Sequence, residues 1–223
     1  MDKVLEPIAK SPKLALYIAE LEDILEREKE QRERFYGDMQ ESDKTEFING
    51  EIIMHSPVKK RHNDCSQRLV VLLRNYIHLR GLGFVGQEKI LISLTRNDYE
   101  PDLCFFNISK AASFQPEQMI FPAPDFVIEI LSKSTESRDR GIKFEDYAAH
   151  GVQEYWLVDP EGEVLEQYLL QEDTYTLALK SADGHVTSPV IDGLRLPIRA
   201  IFDDAVNIQT LQKLLANKKD EPS

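Results

Sequence analysis

The stretch PDFVIEILS, residues 124–132, decides how this chain folds. Its apolar residues are almost continuous, which is typical of a strand that is buried on both faces of a sheet. A second apolar stretch, QEYWLVDP at 153–160, follows after a helix-like segment at 134–151. Strand, helix and strand in this order usually form a parallel crossover. The sequence therefore predicts an α/β fold with a mixed sheet.

Further helices are expected on both sides of this unit. Apolar residues recur at helical spacing over residues 12–36 and again over 60–80, where Gly81 stands in the usual position after a helix end. In the 134–151 helix, Ser134 is expected to cap the first turn. The last helix is predicted over 207–217, and the polar residues after it are expected to be disordered.

Two tight hairpins are predicted at short polar turns. Asn49-Gly50 lies between two apolar runs, which is a strong signal for a two-residue hairpin, and Glu172-Asp173 interrupts a long strand-like segment. These elements predict three parts of the chain: a helical extension over 1–40, a main domain over 41–205, and a C-terminal helix and tail over 206–223.

Composition sets limits on the environment and the partners. The formal net charge of the 223 residues is −12, which argues against nucleic acid as a partner, although the basic cluster at 59–62 leaves room for a local cationic face. No run is apolar enough to cross a bilayer, and the N-terminus does not resemble a signal peptide. Cys65 and Cys104 lie far apart without metal-binding spacing. We expect a reduced, cytoplasmic protein with no membrane partner.

Two acidic residues at strand ends carry the chemistry. Glu129 lies inside the apolar run, where an ionised carboxylate is costly to bury unless it is paired or binds a cation. Asp102 follows Pro101 at the start of another apolar strand. If the two strands are neighbours, these carboxylates converge and offer the oxygen ligands that Mg²⁺ prefers. A buried ion pair of Glu129 with Lys or Arg is the alternative.

The motifs resemble a known family. The downstream ones are PDFVIEILS, ST (134–135), Asp139, Lys143, Tyr147 and GVQEYWLVDP (151–160), and the upstream ones are EFINGE (46–51), HSP (55–57), His62 and PD (101–102). Together they resemble the signature of the Uma-type endonucleases, a bacterial group in the PD-(D/E)XK, restriction-endonuclease-like superfamily. The resemblance spans roughly residues 44–200 and implies a restriction-endonuclease-like mixed sheet flanked by helices, with an N-terminal helical extension.

The resemblance also implies an activity, namely cleavage of DNA phosphodiester bonds with Mg²⁺ or Mn²⁺ held by Asp102 and Glu129. The superfamily usually places a lysine two residues after this glutamate, but here that position is Leu131. We favour Lys143 on the following helix as the relocated lysine, with Lys133 as the other choice. Lys143 could instead form a surface ion pair with Asp139 or pack beside Tyr147.

Four further residues complete the candidate site. Glu46 matches a family position whose acid adds a metal ligand or holds the lysine. His62, Lys60 and Ser132 are candidate contacts to the nucleic acid, while His62 could also be a solvated residue at a helix start.

Two other functional classes stay open. Leu131 and the acidic charge favour a non-catalytic module, binding nucleic acid or protein on a degenerate nuclease fold. The charged helix over 12–36 could be a docked surface helix or a dimerisation arm, and the latter favours a homodimer or a structural, oligomerising protein.

Overall fold

The computed structural model describes residues 4–39 and 44–216. Its helices are α1 Leu5–Ala9, α2 Leu14–Asp38, α3 Lys60–Arg80, α4 Ile108–Ala111, α5 Glu136–Asp139, α6 Ile142–Ala149 and α7 Asp204–Ala216, with a 3₁₀ helix at Ile198–Ile201. Its strands are β1 Thr45–Ile48, β2 Glu51–Met54, β3 Gly83–Gln87, β4 Leu91–Ser93, β5 Asp98–Tyr99, β6 Leu103–Asn107, β7 Ile120–Phe121, β8 Phe126–Ile130, β9 Glu154–Asp159, β10 Val164–Gln171, β11 Thr174–Ser181, β12 His185–Thr187 and β13 Arg195–Pro197.

A six-stranded sheet in the order β11-β10-β9-β8-β6-β3 forms the centre of the fold. Strands β8 and β9 are parallel, and the other pairs in this sheet are antiparallel. The mixed α/β fold and the parallel crossover between β8 and β9 are therefore confirmed. Strand β6, which carries Asp102 at its entry, lies directly beside β8.

A second sheet, in the order β2-β1-β5-β4-β7, contains the first predicted hairpin. Strands β1 and β2 are joined by Asn49 and Gly50, whose φ angles of 50° and 83° are those that a two-residue hairpin requires. The second predicted hairpin is also confirmed, since β10 and β11 pair around Glu172 and Asp173.

Side chains of β8 alternate between two apolar cores. Phe126, Ile128 and Ile130 pack with residues of α3 on one face, whereas Val127 and Leu131 pack with residues of α6 on the other. The near-continuous apolar run of 124–132 thus reflects burial on both faces, as predicted. Glu129 shares the face of Val127, so its carboxylate lies on the side of α6.

The helix predicted over 134–151 is wrong in one respect, because it is two helices, α5 and α6. The break falls at Gly141, where the backbone has φ −114° and ψ −106°, and a Cβ there would lie 2.8 Å from the carbonyl oxygen of Ser137. Ser134 does not cap α5. Instead Ser132 Oγ accepts from the Thr135 N–H at 3.3 Å, so the turn before the helix is closed by the earlier serine.

Helix α2 is docked along only part of its length. Arg32 donates to both carboxylate oxygens of Asp98 at 2.6 Å, and Glu28 pairs with Arg96. Earlier apolar residues of the helix are exposed, among them Leu16 and Leu21. The docked surface helix, one of the two interpretations of the predicted 12–36 helix, therefore fits the second half of α2, and the dimerisation arm stays a prediction.

The C-terminal helix begins three residues before the predicted start and packs against α3. Asn207 joins the two by donating to the carbonyl oxygens of Arg68 and Ala200. Residues 217–223, including the predicted end of this helix and the tail, lie outside the described residues. Within the described ranges, no helix combines the length and the apolar character that crossing a membrane would require.

Candidate functional site

A cleft of about 410 Å³ opens where the two sheets meet α3 and α5. Asp102 and Glu129 both line it, as do the hairpin exit at His55 and the turn at Ser132. The cleft therefore collects residues from five separate segments of the chain, which the strand order brings together.

The two predicted carboxylates meet because β6 and β8 are neighbours. Leu103 pairs with Ile128, so Asp102 and Glu129 lie one residue beyond this pair on their strands. The Asp102 N–H lies 3.4 Å from Glu129 Oε2, and Asp102 Oδ2 accepts from the Ile130 N–H at 2.8 Å. The structure thus brings this predicted pair together, and each of the two residues is at most 5% exposed.

A lysine and a histidine contact the two oxygens of Asp102. Lys44 Nζ lies 3.2 Å from Oδ1, and His62 Nε2 lies 3.2 Å from Oδ2. Burial raises the pKa of Asp102, but His62, Lys44 and the Ile130 N–H outweigh it and hold this pKa well below its ordinary value. Asp102 is therefore ionised across the physiological range.

Lys143 lies in a buried cluster of carboxylates. Its Nζ is 2.7 Å from Glu46 Oε1, 3.1 Å from Glu129 Oε1 and 3.4 Å from Asp139 Oδ1. The structure therefore brings Glu46 and Lys143 to Glu129. The predicted alternative of a surface ion pair with Asp139 is wrong about the surface, since Lys143 is 1% exposed, although the ion pair itself is present.

In this cluster, burial and the neighbouring charges shift the pKa values in opposite directions for some groups and in the same direction for others. Burial lowers the pKa of Lys143, but its carboxylate neighbours raise it well above the ordinary value. Burial raises the pKa of Glu46, yet Lys143 and His55 bring it down to about 2. The pKa of Glu129 stays well above its ordinary value, first because of burial and then because Asp139, Asp102 and Glu46 repel its charge.

The other predicted site residues are placed differently. His62 is buried against Asp102, so the prediction of a solvated helix start is wrong. Ser132 lines the cleft. Lys60 is not among the residues lining the cleft; its side chain is 87% exposed and pairs with Asp64 within α3. Lys133 lines the cleft but points to its exposed rim.

Two residues of the cleft were not predicted from the sequence. Lys44 contacts Asp102, and the one sequence signal for it is its position two residues before Glu46, on the same face of an extended segment. Glu100 is 4% exposed, and its Oε2 has no hydrogen-bond partner in the described part of the chain. Burial raises the pKa of Glu100 to about 7.

The donor set fits a hard divalent cation. Burial raises the pKa of Glu129, and the surplus of carboxylates over ammonium groups in the cluster raises it further, so a cation beside Glu129 would relieve the repulsion. Within residues 4–39 and 44–216, no group of three or more His, Cys, Asp or Glu side chains is arranged to hold a metal ion. Asp102 and Glu129 would therefore bind it with water, carbonyl or phosphate oxygens, as is usual for Mg²⁺.

Comparisons with solved structures support the fold. A crystal structure described as a "putative nuclease belonging to DUF820", from Anabaena variabilis ATCC 29413, superposes with a TM-score of 0.62 at 22% identity. The match covers 73% of this chain and 90% of that chain. The restriction-endonuclease-like fold, with its mixed sheet and N-terminal helix, is thus confirmed.

Sequence comparisons identify the family. "Uncharacterized protein slr1290" of Synechocystis sp. (strain ATCC 27184 / PCC 6803 / Kazusa) is 30% identical over 169 residues, covering 74% of this chain and 82% of that protein. "Uncharacterized protein sll1609" of the same organism is 32% identical over 123 residues, covering 54% of this chain and 68% of that protein. The model of the Uma2 family, described as "Putative restriction endonuclease", matches residues 21–199. The chain therefore belongs to the Uma2 restriction-endonuclease-like family.

Proposed function

We propose that this protein is a metal-dependent endonuclease that hydrolyses DNA phosphodiester bonds in the cleft. The proposal rests on one observation. Asp102 and Glu129 meet across β6 and β8, and burial together with the neighbouring carboxylates raises the pKa of Glu129 well above its ordinary value. Membership of the Uma2 family supports the reaction class.

Asp102 and Glu129 are the proposed ligands of Mg²⁺ or Mn²⁺. A divalent cation supplies an acidified water as the nucleophile and neutralises charge on the phosphate. Asp102 is ionised and fixed by the Ile130 N–H, so one ligand is preorganised. Lys143 is the proposed relocated lysine in one respect, namely that its charge balances Glu129 and Glu46 within the buried cluster.

DNA is the proposed partner, in spite of the net charge of −12. Cationic side chains line the cleft beside the carboxylates and can contact phosphates flanking the scissile one: Lys59, Arg61, Lys133 and Arg138. Ser132 and His62 lie on the same surface, while the exposed Lys60 can act at the outer edge of a longer duplex. A cytoplasmic location stays a prediction.

Plasmid cleavage tests the proposal directly. The wild type should nick or linearise DNA with Mg²⁺ or Mn²⁺ and not with chelator, and Asp102→Ala and Glu129→Ala should abolish this. Lys180→Gln, which alters an exposed lysine on β11, is the control and should cleave normally. Full activity in both acid variants would contradict the proposal.

A non-catalytic binding module is the second candidate. It is favoured by Leu131 in the lysine position and by the three carboxylates that already surround Lys143. Calorimetry separates the two, because a module of this kind would bind DNA without binding Mn²⁺.

We further propose that the exposed half of α2 joins two chains as a homodimer. Exposed apolar residues share this segment: Leu16, Ile18, Leu21 and Leu25. Deleting residues 1–25 leaves the docked contacts of Glu28 and Arg32 in place. The mass in solution should fall from that of two chains to that of one, and an unchanged mass would exclude this arm.

A further inference from the structure

Lys143 is buried among carboxylates. An ammonium group carries three N–H donors and no acceptor. Its neighbours within 3.4 Å are three carboxylates, those of Glu46, Glu129 and Asp139, and the side chain is fully buried. Contact with a phosphate would require Lys143 to abandon one of these carboxylates inside the protein, which is costly. Lys143 is therefore a positioning residue that holds Glu129 and Glu46.

Lys44 differs in the number of its partners and in its access to the cleft. Among the described residues, the one acceptor of its Nζ is Asp102 Oδ1, at 3.2 Å. Its side chain is 18% exposed and lines the cleft. Two of its three donors thus have no acceptor in the described part of the chain.

The backbone fixes Lys44 in this place. Its carbonyl oxygen accepts from the His55 N–H at 3.1 Å, which extends the pairing of β1 and β2 by one step. The Lys44 ammonium group is thus held at the edge of the carboxylate pair, 3.2 Å from Asp102 Oδ1.

We propose that Lys44 is the catalytic residue that donates to the scissile phosphate, taking the role that Leu131 cannot fill. This inference rests on the proposed function, since it names the group that contacts the substrate in the same cleft. A divalent cation held by Asp102 and Glu129 would repel the like-charged Lys44 and weaken its ion pair with Asp102. The Lys44 ammonium group would then be able to donate to an anionic phosphate oxygen.

Cleavage kinetics with Mn²⁺ form the first test. Lys44→Gln and the longer, uncharged Lys44→Met should lower kcat by about 100-fold or more, the usual loss for one charge-stabilising donor, with a KM change of a few fold. Lys44→Arg should recover part of the rate. Lys180→Gln is the matched control, since Lys180 also pairs with a buried carboxylate, Glu166 at 2.9 Å, but lies outside the cleft lining. A rate within about threefold of wild type in both uncharged variants would overturn the proposal.

Mn²⁺ calorimetry on the same variants separates a contact to substrate from support of Asp102. The proposal expects both uncharged variants to bind Mn²⁺ at least as well as the wild type, because they remove a competing cation. Loss of Mn²⁺ binding together with loss of cleavage would overturn it, since Lys44 would then act only by holding Asp102.

A binding test shows whether Lys44 contacts a DNA phosphate even if the wild type cleaves no DNA. With Ca²⁺ in place of Mn²⁺, the affinity for a short duplex is measured against salt concentration, and the duplex is checked for integrity on a gel. Loss of one phosphate contact should reduce the slope of log K against log salt by about one in Lys44→Gln, and by nothing in Lys180→Gln. An unchanged slope, or no DNA binding by the wild type, would overturn the proposal. A reduced slope without any cleavage would uphold the contact while removing the nuclease activity.

Discussion

Two buried glutamates on neighbouring parallel strands, Glu129 on β8 and Glu154 on β9, have very different surroundings. They are 3% and 0% exposed, and burial is the first cause of a raised pKa in both. Glu154 accepts from Trp156 Nε1 at 2.6 Å, from Gln167 Nε2 at 2.7 Å and from the Ser188 hydroxyl. Glu129 instead faces the cleft among other carboxylates.

Burial of an acid does not by itself indicate a functional site, because two equally buried glutamates have different partners here. Neutral donors satisfy Glu154 completely, so it holds β9, β10 and the 188–191 turn together. Glu129 shares one lysine with Glu46 and Asp139, and a ligand can reach it. Net charge and access to the cleft, rather than depth, distinguish a site that can bind a cation from one that stabilises the fold.

The largest effect on stability is expected at the centre of the charged region. Lys143→Met should lower the free energy of unfolding by about 3–5 kcal/mol, because it leaves three buried carboxylates without their shared cation. Urea unfolding in the presence of chelator measures this. A loss under about 1 kcal/mol would contradict the role of Lys143 as their shared cation, since it would mean that other groups balance the carboxylates.

Glu100 extends the comparison to an acid whose Oε2 has no hydrogen-bond partner among the described residues. Its pKa of about 7 lies above the ordinary value of 4.5, so the folded chain binds more protons than the unfolded chain between these pH values. The contribution of Glu100 to stability is therefore present in acid and is lost as pH rises towards and through 7. The stability of Glu100→Gln relative to wild type should rise by about 3 kcal/mol between pH 4 and pH 8. Urea unfolding at pH 4 and pH 8 measures this difference in stability between Glu100→Gln and the wild type. The same difference at both pH values would contradict the prediction, because it would mean that folding does not raise the pKa of Glu100.

Glu154→Gln should have the smallest effect of the three. With its oxygen kept for Trp156 and Gln167, the amide sets its NH₂ group against the Ser188 hydroxyl, whose oxygen already accepts from the N–H groups of Val190 and Ile191. A loss of about 1–2 kcal/mol is therefore expected. DNA cleavage and Mn²⁺ affinity should match the wild type. Loss of metal binding in a folded Glu154→Gln protein would break the distinction between the two glutamates.

Local patterns were enough to predict the elements that place the carboxylates. The alternation along 124–132 placed Glu129 on one face of β8, and the helix-length connection required a parallel neighbour. The Asn49-Gly50 turn located the hairpin because only a few residue types accept its backbone angles. The approach of Asp102 to Glu129 then depended only on β6 lying beside β8, which the structure bears out.

Contacts between distant segments could not be predicted in the same way. Lys44 reaches Asp102 across 58 positions, and its one local signal, the spacing to Glu46, does not reveal this contact. The break at Gly141 depends on a close approach to Ser137, which helical periodicity does not reveal. Glu154 lies in an apolar run much like that of Glu129, so the apolar pattern alone does not tell which acid lies at the cleft, and the family motifs were needed to choose Glu129.

Calorimetric titration with Mn²⁺ directly tests whether Asp102 and Glu129 bind a divalent cation. The proteins to compare are the wild type, Asp102→Asn, Glu129→Gln and Glu154→Gln. We expect one Mn²⁺ per chain in the wild type and in Glu154→Gln, and loss of this binding in the other two variants. Equal Mn²⁺ binding by Glu129→Gln and the wild type, or none by the wild type, would contradict it.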